Sequence, residues 1–211
     1  MDARLQVIYD GVANGEQKVV TDGVQAALDA GIDAATILND AMIAAMGYVG
    51  NQFECGEYFV PEMLISARAM KSGLALLRPA LIAANVKSAG KVVVGTVQGD
   101  LHDIGKNLVA MMLEGAGFEV VDLGVDVSPQ KFVDAIKEHQ PNFVGLSALL
   151  TTTMPKMKST IDALNAAGIR PNVKVMIGGA PVTQRYATEI GADIFSPDAA
   201  TAARRAKEAM A

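Results

Sequence analysis

The sequence predicts an α/β protein in which an N-terminal four-helix bundle precedes a doubly wound (Rossmann-like) five-stranded parallel sheet domain. Residues 1–87 show almost no strand-like alternation, whereas short β-branched runs begin at residue 91 and are separated by helical stretches. The small and polar segment 84–90 lies between these two patterns. We therefore place a helical domain at 1–87 and an α/β domain at 88–211.

Amphipathic segments make up the predicted bundle. We expect helices at about 2–12, 16–30, 34–53 and 61–84. The fourth helix is the clearest, because its apolar residues recur at alternating spacings of four and three residues. These residues are Met63, Ala67, Met70, Leu74, Leu77 and Leu81. Pro79 conflicts with an uninterrupted helix and predicts a kink or an early end.

The second half alternates strands with helices. We expect strands at 91–97, 118–123, 143–147, 173–177 and 192–195. We expect helices near 104–116, 128–139, 154–167, 181–190 and 198–210. Ligands bind outside the carboxyl ends of the strands in such a sheet, so the loops that follow the strands are the places to search.

Composition excludes several classes of function. The chain has 211 residues, a net charge of −5 and scattered Lys and Arg, so we expect no nucleic acid partner. Its single cysteine, Cys55, excludes an intrachain disulfide and a multi-cysteine zinc site. We see no signal peptide and no apolar stretch near the ~18 residues of a spanning helix. We therefore expect a cytoplasmic protein without a membrane partner.

The loop after the first strand contains His102, one of only two histidines. Asp100, two residues earlier, can accept a proton from one ring nitrogen and leave the other free to bind a metal. A histidine that caps a helix or bonds within its loop is the alternative, and the residues alone leave both open. The sequence shows no second pair of candidate metal ligands. His102 therefore fits better as the single axial ligand of a metal held in a macrocycle than as part of a site built only from protein ligands. His139 is predicted to lie in solvent at the end of a helix.

Three motifs carry a resemblance to a known family. Asp100-x-His102-x-x-Gly105 resembles the DxHxxG signature of cobalamin-binding domains, and GDLHDIGKN is similar to the version in methionine synthase and in corrinoid proteins of anaerobic methyltransferase systems. The segments 144–149 and 177–180 resemble the family's SxL and GG motifs. Residues 51–62 are similar to the helical cap over the methyl face of the corrin, so the resemblance covers essentially the whole chain.

The resemblance implies a corrinoid, cobalamin or a relative of it, bound base-off with its nucleotide tail in a slot of the α/β domain. His102 would be the lower axial ligand to cobalt, Asp100 would orient it, and the Thr153 hydroxyl would hydrogen-bond Asp100. The other implied cofactor contacts in this domain are Leu101, Asp103, Ile104, Gly105, Ser147, Leu149, Thr151, Gly178, Gly179 and Ala199. Phe53, Val60 and Met63 would shield the upper face, although Met63 fits a plain bundle core equally well.

The function implied by this resemblance is a corrinoid methyl carrier, a subunit of a multi-component methyltransferase. It would accept a methyl group from a substrate:corrinoid methyltransferase and pass it to a corrinoid:acceptor methyltransferase that uses tetrahydrofolate or a thiol. A reductive activation protein is the third implied partner. The segment 84–90 would be a hinge between the domains, with a rigid spacer as the alternative.

Three other functions are weighed against the carrier. The small cobalamin-binding subunit of a B12-dependent mutase lacks a cap like residues 51–62. A cobalamin-sensing regulatory module would need a basic helix-turn-helix, which the sequence does not show. A flavodoxin-like domain without a cofactor would leave all three motifs unexplained.

Overall fold

The structure is a computed structural model that describes residues 2–210. The chain divides into two compact units, the first ending at Ser88 and the second beginning at Ala89, with the short segment Glu114–Gly117 grouped with the first. Within the described residues, no helix is both long enough and apolar enough to cross a membrane.

Four helical segments form the first unit, as predicted. They are α1 (Ala3–Ala13), α2 (Gln17–Asp29), a third segment, and α5 (Val60–Ala83). The third segment consists of α3 (Ala34–Thr36), a π-helical stretch (Ile37–Ile43) and α4 (Ala44–Glu54). Each segment begins and ends within two residues of its predicted limits.

The π-helical stretch in the third segment was not predicted, and the burial pattern explains it. The buried side chains recur every four residues, at Ile37 and Leu38, Ala41 and Met42, Ala45 and Met46, and Val49. An α-helix has 3.6 residues per turn, so a strict repeat of four would drift around its axis. A wider turn corrects this drift and keeps the three pairs and Val49 on the buried face.

The long helix α5 continues through Pro79 to Ala83, so the predicted early end is wrong. Pro79 removes one backbone donor only a turn before the helix ends, where packing still holds the chain. Leu77 and Leu81 on either side of it are buried. The predicted apolar seam is buried along this helix apart from Leu74, which is half-buried.

The second unit is a five-stranded, all-parallel sheet, which confirms the predicted fold class. Its strands are β1 (Lys91–Thr96), β2 (Glu119–Asp122), β3 (Phe143–Ser147), β4 (Lys174–Gly178) and β5 (Ile194–Phe195), in the order β2-β1-β3-β4-β5. The intervening helices are α6 (Ile104–Gly115), α7 (Pro129–His139), α8 (Pro155–Ala166), α9 (Gln184–Ile190) and α10 (Ala199–Glu208). A 3-10 turn at Arg170–Asn172 precedes β4.

Several elements are shorter than predicted, and in α9 and β5 the cause is a side chain that replaces a backbone partner. The helix α9 begins at Gln184 instead of 181, because Thr183 caps it and accepts the N–H of Tyr186 at 3.2 Å. The strand β5 has two residues instead of the four predicted over 192–195. Just before it, the Asp193 carboxylate accepts the N–H of Val175 at 2.6 Å, a donor that a longer strand would have bonded through its backbone.

The strand order places a topological switch point between β1 and β3. Chain connections leave these neighbouring strands in opposite directions, which opens a crevice at their carboxyl ends. Thr96 pairs with Ser147 and Ser147 with Gly178, so the strands reach the same edge in register. The loops that follow β1 and β3 are therefore the first place to search for a site.

Candidate functional site

The carboxylate of Asp100 is the centre of the crevice and is completely buried. Its Oδ1 accepts the backbone N–H of His102 at 3.1 Å and lies 2.7 Å from Nδ1 of the His102 ring. Its Oδ2 accepts the N–H groups of Leu149 at 2.8 Å and Leu150 at 3.4 Å, and lies 2.7 Å from Thr153 Oγ1. One side chain therefore joins the β1 loop to the β3 loop across the switch point.

Hydrogen bonding holds Asp100 in its ionised form. Burial by itself would raise the pKa of this carboxyl, but the Thr153 hydroxyl, the Leu149 N–H and both His102 donors together bring the pKa well below its usual range. The carboxylate then accepts from the ring Nδ1–H of His102, which fixes the tautomer with the proton on Nδ1.

The His102 ring is half exposed, at 51% of the side chain, although its partner is buried. Within the part of the chain that the structure describes, Nε2 has no hydrogen-bond partner. Its backbone is also held, because Thr96 Oγ1 donates to the His102 carbonyl at 3.0 Å. An oriented imidazole whose second ring nitrogen is accessible and has no protein partner is what an axial metal ligand requires.

Sequence reasoning missed two residues that support this loop. Thr96 is a fully buried hydroxyl at the end of β1, and a polar residue ending an otherwise apolar strand was the available signal. Asp126 donates its N–H to the Asp100 carbonyl at 3.0 Å and accepts the N–H of Gly99 at 2.7 Å. Its left-handed backbone, with φ at 51°, has no equally clear signature in the sequence.

Exposed apolar side chains flank the histidine. Leu101 and Ile104 are 72% and 75% exposed, and Leu149 and Leu150 are each 42% exposed. At Gly105 an added Cβ would meet no atom within 4 Å, so the protein itself does not require glycine there. These features suit a broad apolar ligand that covers the leucines and approaches the Gly105 backbone.

Glycines allow backbone segments to approach closely at the end of β4. Gly179 has φ at +132°, and a Cβ there would lie 1.9 Å from the Ala148 carbonyl oxygen, so only glycine fits. A Cβ at Gly178 would lie 3.1 Å from the Ser196 carbonyl oxygen. Ser147 is half-buried beside them. The two glycines therefore let the loops after β3 and β5 lie against the end of β4.

The other residues predicted to contact the cofactor in this unit differ in burial and in hydrogen bonding. The Asp103 carboxylate accepts the side-chain amide of Asn107 at 3.1 Å, and the Asp103 carbonyl accepts the backbone N–H of Asn107 at 2.8 Å. Both bonds stabilise the start of α6. Thr151 is exposed, whereas Ala199, the first residue of α10, is 6% exposed. Ala199 thus offers the site little beyond its backbone.

The predicted cap residues lie in the helical unit. Phe53 is half-buried and Val60 is 37% exposed, so both have surface available. Met63 is 1% exposed, which favours its interpretation as bundle core. Shielding of a corrin by Phe53 and Val60 stays a prediction.

The donor set fits a metal that is already held by a macrocycle. Across residues 2–210, no three His, Cys, Asp or Glu side chains gather where they could hold a metal ion by themselves. Cys55 is exposed, and His139 lies 3.9 Å from Glu138. One oriented imidazole, an apolar rim and a glycine-lined edge instead define a binding protein for a planar, metal-bearing cofactor.

Comparisons with known proteins identify the family. Models of the B12 binding domain match residues 90–206 and, in a second form, residues 5–78. Trimethylamine corrinoid protein 2 of Methanosarcina acetivorans is 44% identical over 95% of this chain and 94% of its own length. Dimethylamine corrinoid protein 1 of the same organism is 45% identical over 85% of each chain.

A solved structure agrees with these relatives. A chain of the methanol:cobalamin methyltransferase complex from Methanosarcina barkeri is 33% identical, with a TM-score of 0.89 over 99% of this chain and 80% of that one. The protein therefore belongs to the B12-binding family, among the corrinoid proteins of methyltransferase systems.

Proposed function

We propose that the protein carries a methyl group on the cobalt of a bound corrinoid from one methyltransferase to another. The observation that supports this most directly is His102, whose Nδ1 is held by buried Asp100 while Nε2 is free of protein partners. When bound, the corrinoid supplies a cobalt atom that takes up and releases methyl groups. The relatives do not favour the mutase alternative.

The chain's own residues have distinct tasks in this proposal. His102 Nε2 would be the lower ligand, and Asp100 would keep the ring in the required tautomer and orientation. Thr153 would fix Asp100, since its hydroxyl lies 2.7 Å from Oδ2. The exposed leucines beside the ring would cover one face of the macrocycle and exclude water there.

We infer that the methyl donor is a methylamine. The curated relatives with the highest identities above are named for trimethylamine and dimethylamine, whereas the chain from the methanol complex is less similar. The second partner would transfer the methyl group to a thiol or to tetrahydrofolate. A reductive activation protein would restore cobalt that has become oxidised, because only reduced cobalt accepts a methyl group again.

The donor is tested with the reconstituted protein. The cobalamin-loaded protein is first reduced chemically to its cobalt(I) form. It is then mixed with a trimethylamine, dimethylamine or methanol methyltransferase and the corresponding donor, and methylation is followed by visible absorption. We expect rapid methylation with one of the methylamine enzymes. Methylation by the methanol enzyme alone would show that the donor is wrong, and methylation by none would contradict the carrier function.

The axial ligand is tested by replacing each histidine in turn. His102→Ala should abolish the visible band of histidine-ligated methylcobalamin, because the nitrogen donor is lost. His139→Ala is the matched control and should leave the spectrum unchanged, since His139 lies at the end of α7 outside the crevice. An unchanged spectrum in His102→Ala would exclude axial ligation by this residue.

A further inference from the structure

Asp100 and Lys106 are the two charged residues that the structure buries within residues 2–210. Asp100 holds the ring of His102, whereas Lys106 belongs to α6 and is 4% exposed. A buried ammonium group loses its hydration and is stable only when other polar groups replace the water. The partners of this lysine therefore show what its burial achieves.

Lys106 joins the first turn of α6 to the end of β2. Its Nζ donates to Asp122 Oδ2 at 2.5 Å and to Asn107 Oδ1 at 2.6 Å. A positive charge in the first turn opposes the helix dipole, so this lysine is poorly placed to stabilise α6 by itself. Its burial is better explained by the ion pair with Asp122, the last residue of β2.

Hydrogen bonds continue from Asp122 to the backbone of His102. Asp122 Oδ1 accepts the N–H of Gly124 at 2.9 Å, and the Gly124 carbonyl accepts the N–H of Thr96 at 3.0 Å. The Thr96 hydroxyl in turn donates to the His102 carbonyl at 3.0 Å. The ion pair is therefore connected to the residue that would bind cobalt.

A second connection runs through Asn107. Its side chain accepts from Lys106 and donates its amide N–H to the Asp103 carboxylate at 3.1 Å. Asp103 follows His102 directly, so the backbone around the histidine is held on one side through Thr96 and on the other through Asp103. Because the His102 side chain is 51% exposed, little packing fixes its ring, and the position of the ring depends on this backbone.

We propose that Lys106 is a positioning residue for the axial ligand, and this inference rests on the proposed function. Its ion pair with Asp122 fixes the backbone from which the His102 imidazole projects, while Asp100 fixes the ring itself. Lys106 needs no contact with the cofactor in this role, because it acts through His102. Loss of the ion pair should therefore weaken cobalamin binding only while His102 is present.

The first test measures whether Lys106 acts through His102. Lys106→Met removes the charge and keeps a long side chain, and its effect on aquocobalamin binding is measured by visible titration of the full-length apoprotein. With His102 present, we expect roughly tenfold weaker binding, the scale of a lost supporting partner of a metal-binding histidine. In the His102→Ala background, Lys106→Met should bring no further loss. Equal weakening in both backgrounds would overturn the inference.

Asp122→Ala breaks the same ion pair from its exposed end. The Asp122 side chain is 41% exposed, so its truncation leaves no buried cavity. Visible spectra of the methylcobalamin-loaded protein should show less of the histidine-ligated band in both Lys106→Met and Asp122→Ala. Unchanged spectra in the two variants would contradict a positioning role.

Arg170→Met is the matched control for a general loss of stability. Arg170 also pairs with an aspartate, Asp193, at 2.8 Å, but this pair lies at the amino ends of β4 and β5, opposite the crevice. Arg170→Met should lower the melting temperature and leave aquocobalamin binding and the spectrum unchanged. A loss of binding as large as that in Lys106→Met would show that general destabilisation is the cause.

The inference and the proposed function can fail separately. Wild-type protein that binds no aquocobalamin would overturn both. Wild-type binding that Lys106→Met weakens in neither background, or weakens without His102, would overturn the inference alone. Weakening confined to the protein that retains His102, together with a diminished histidine-ligated band, supports both.

Discussion

Asp100 shows how one residue joins parts of the chain that are remote in sequence. Its two oxygens take hydrogen bonds from His102 in the β1 loop and from Leu149, Leu150 and Thr153 after β3. A buried carboxylate is stable only when its acceptor positions are filled in this way. The orientation of the histidine therefore depends on a loop some fifty residues further along the chain.

Thr153 should be the donor whose loss most clearly reveals this dependence. Thr153→Val keeps the shape but removes the hydroxyl that faces Asp100, so we expect the free energy of unfolding of the apoprotein to fall by about 1.5–3 kcal/mol. Thr153→Ser is the matched control, because it keeps the donor and should lose much less. Urea denaturation of both variants measures the difference, and equal losses would show that the methyl group of Thr153 matters more than its hydroxyl.

Replacing either of two glycines of the site with alanine should have different effects on the stability of the apoprotein. Gly179→Ala brings a Cβ to 1.9 Å from the Ala148 carbonyl and should destabilise the apoprotein by more than about 3 kcal/mol. Gly105→Ala meets no protein atom within 4 Å, so apoprotein stability should not fall, while aquocobalamin binding weakens. Thermal unfolding and visible titration check the pair. Undiminished binding by Gly105→Ala would show that no ligand approaches this backbone.

The residues of the crevice were only partly predictable from the sequence. Asp100 and His102 are close in the chain, so their chemistry is visible in the loop itself. Thr153 was predicted only through the family resemblance. Its bond to Asp100 joins residues fifty-three positions apart, which the strand order brings together and no local pattern indicates. Asp126 was missed because its carboxylate accepts the Gly99 N–H across twenty-seven positions, a contact that the fold creates and no local residue pattern indicates.

The elements were more predictable than their irregularities. Apolar runs and helical periodicity give every strand and helix of the α/β unit, because each must bury one face or both. The π-helical stretch at Ile37–Ile43 depends on a burial repeat of four, which can be recognised once the buried face is known. The short β5 depends on the Asp193 side chain, a tertiary contact that no local pattern contains.

The two prolines of α5 provide a test at the scale of the element. Pro79 lies inside the helix and lacks the N–H that would bond the Ala75 carbonyl. Pro79→Ala should therefore stabilise the folded protein by about 1–3 kcal/mol. Part of this gain is offset, because the unfolded chain becomes more flexible without the proline ring. Pro61 lies in the first turn, where no acceptor waits for its N–H, so Pro61→Ala is the control and should bring no gain. Thermal unfolding compares them. A gain from Pro61→Ala that matched that from Pro79→Ala would contradict this account.

At the scale of the whole molecule, the proposed cobalt ligand and the predicted cap residues belong to different units. Asp100, His102 and Thr153 lie in the second unit, whereas Phe53 and Val60 lie in the first, which ends at Ser88. A methyl carrier must protect its methyl group in transit and yet expose it to two different enzymes. We therefore predict that the units change their relative orientation when a partner binds, with residues 84–90 as the hinge.

The linker allows this motion to be tested without removing any contact. The backbone N–H groups of Lys87 and Ser88 have no hydrogen-bond partner among the described residues, so prolines at these positions restrict rotation and cost no bond. Lys87→Pro/Ser88→Pro should bind aquocobalamin normally but be methylated more slowly by the methylamine methyltransferase. Lys87→Ala/Ser88→Ala removes the same side chains, keeps the rotational freedom and should react like the wild type. Equal methylation rates for the two double variants, measured by visible absorption, would show that the linker is only a spacer.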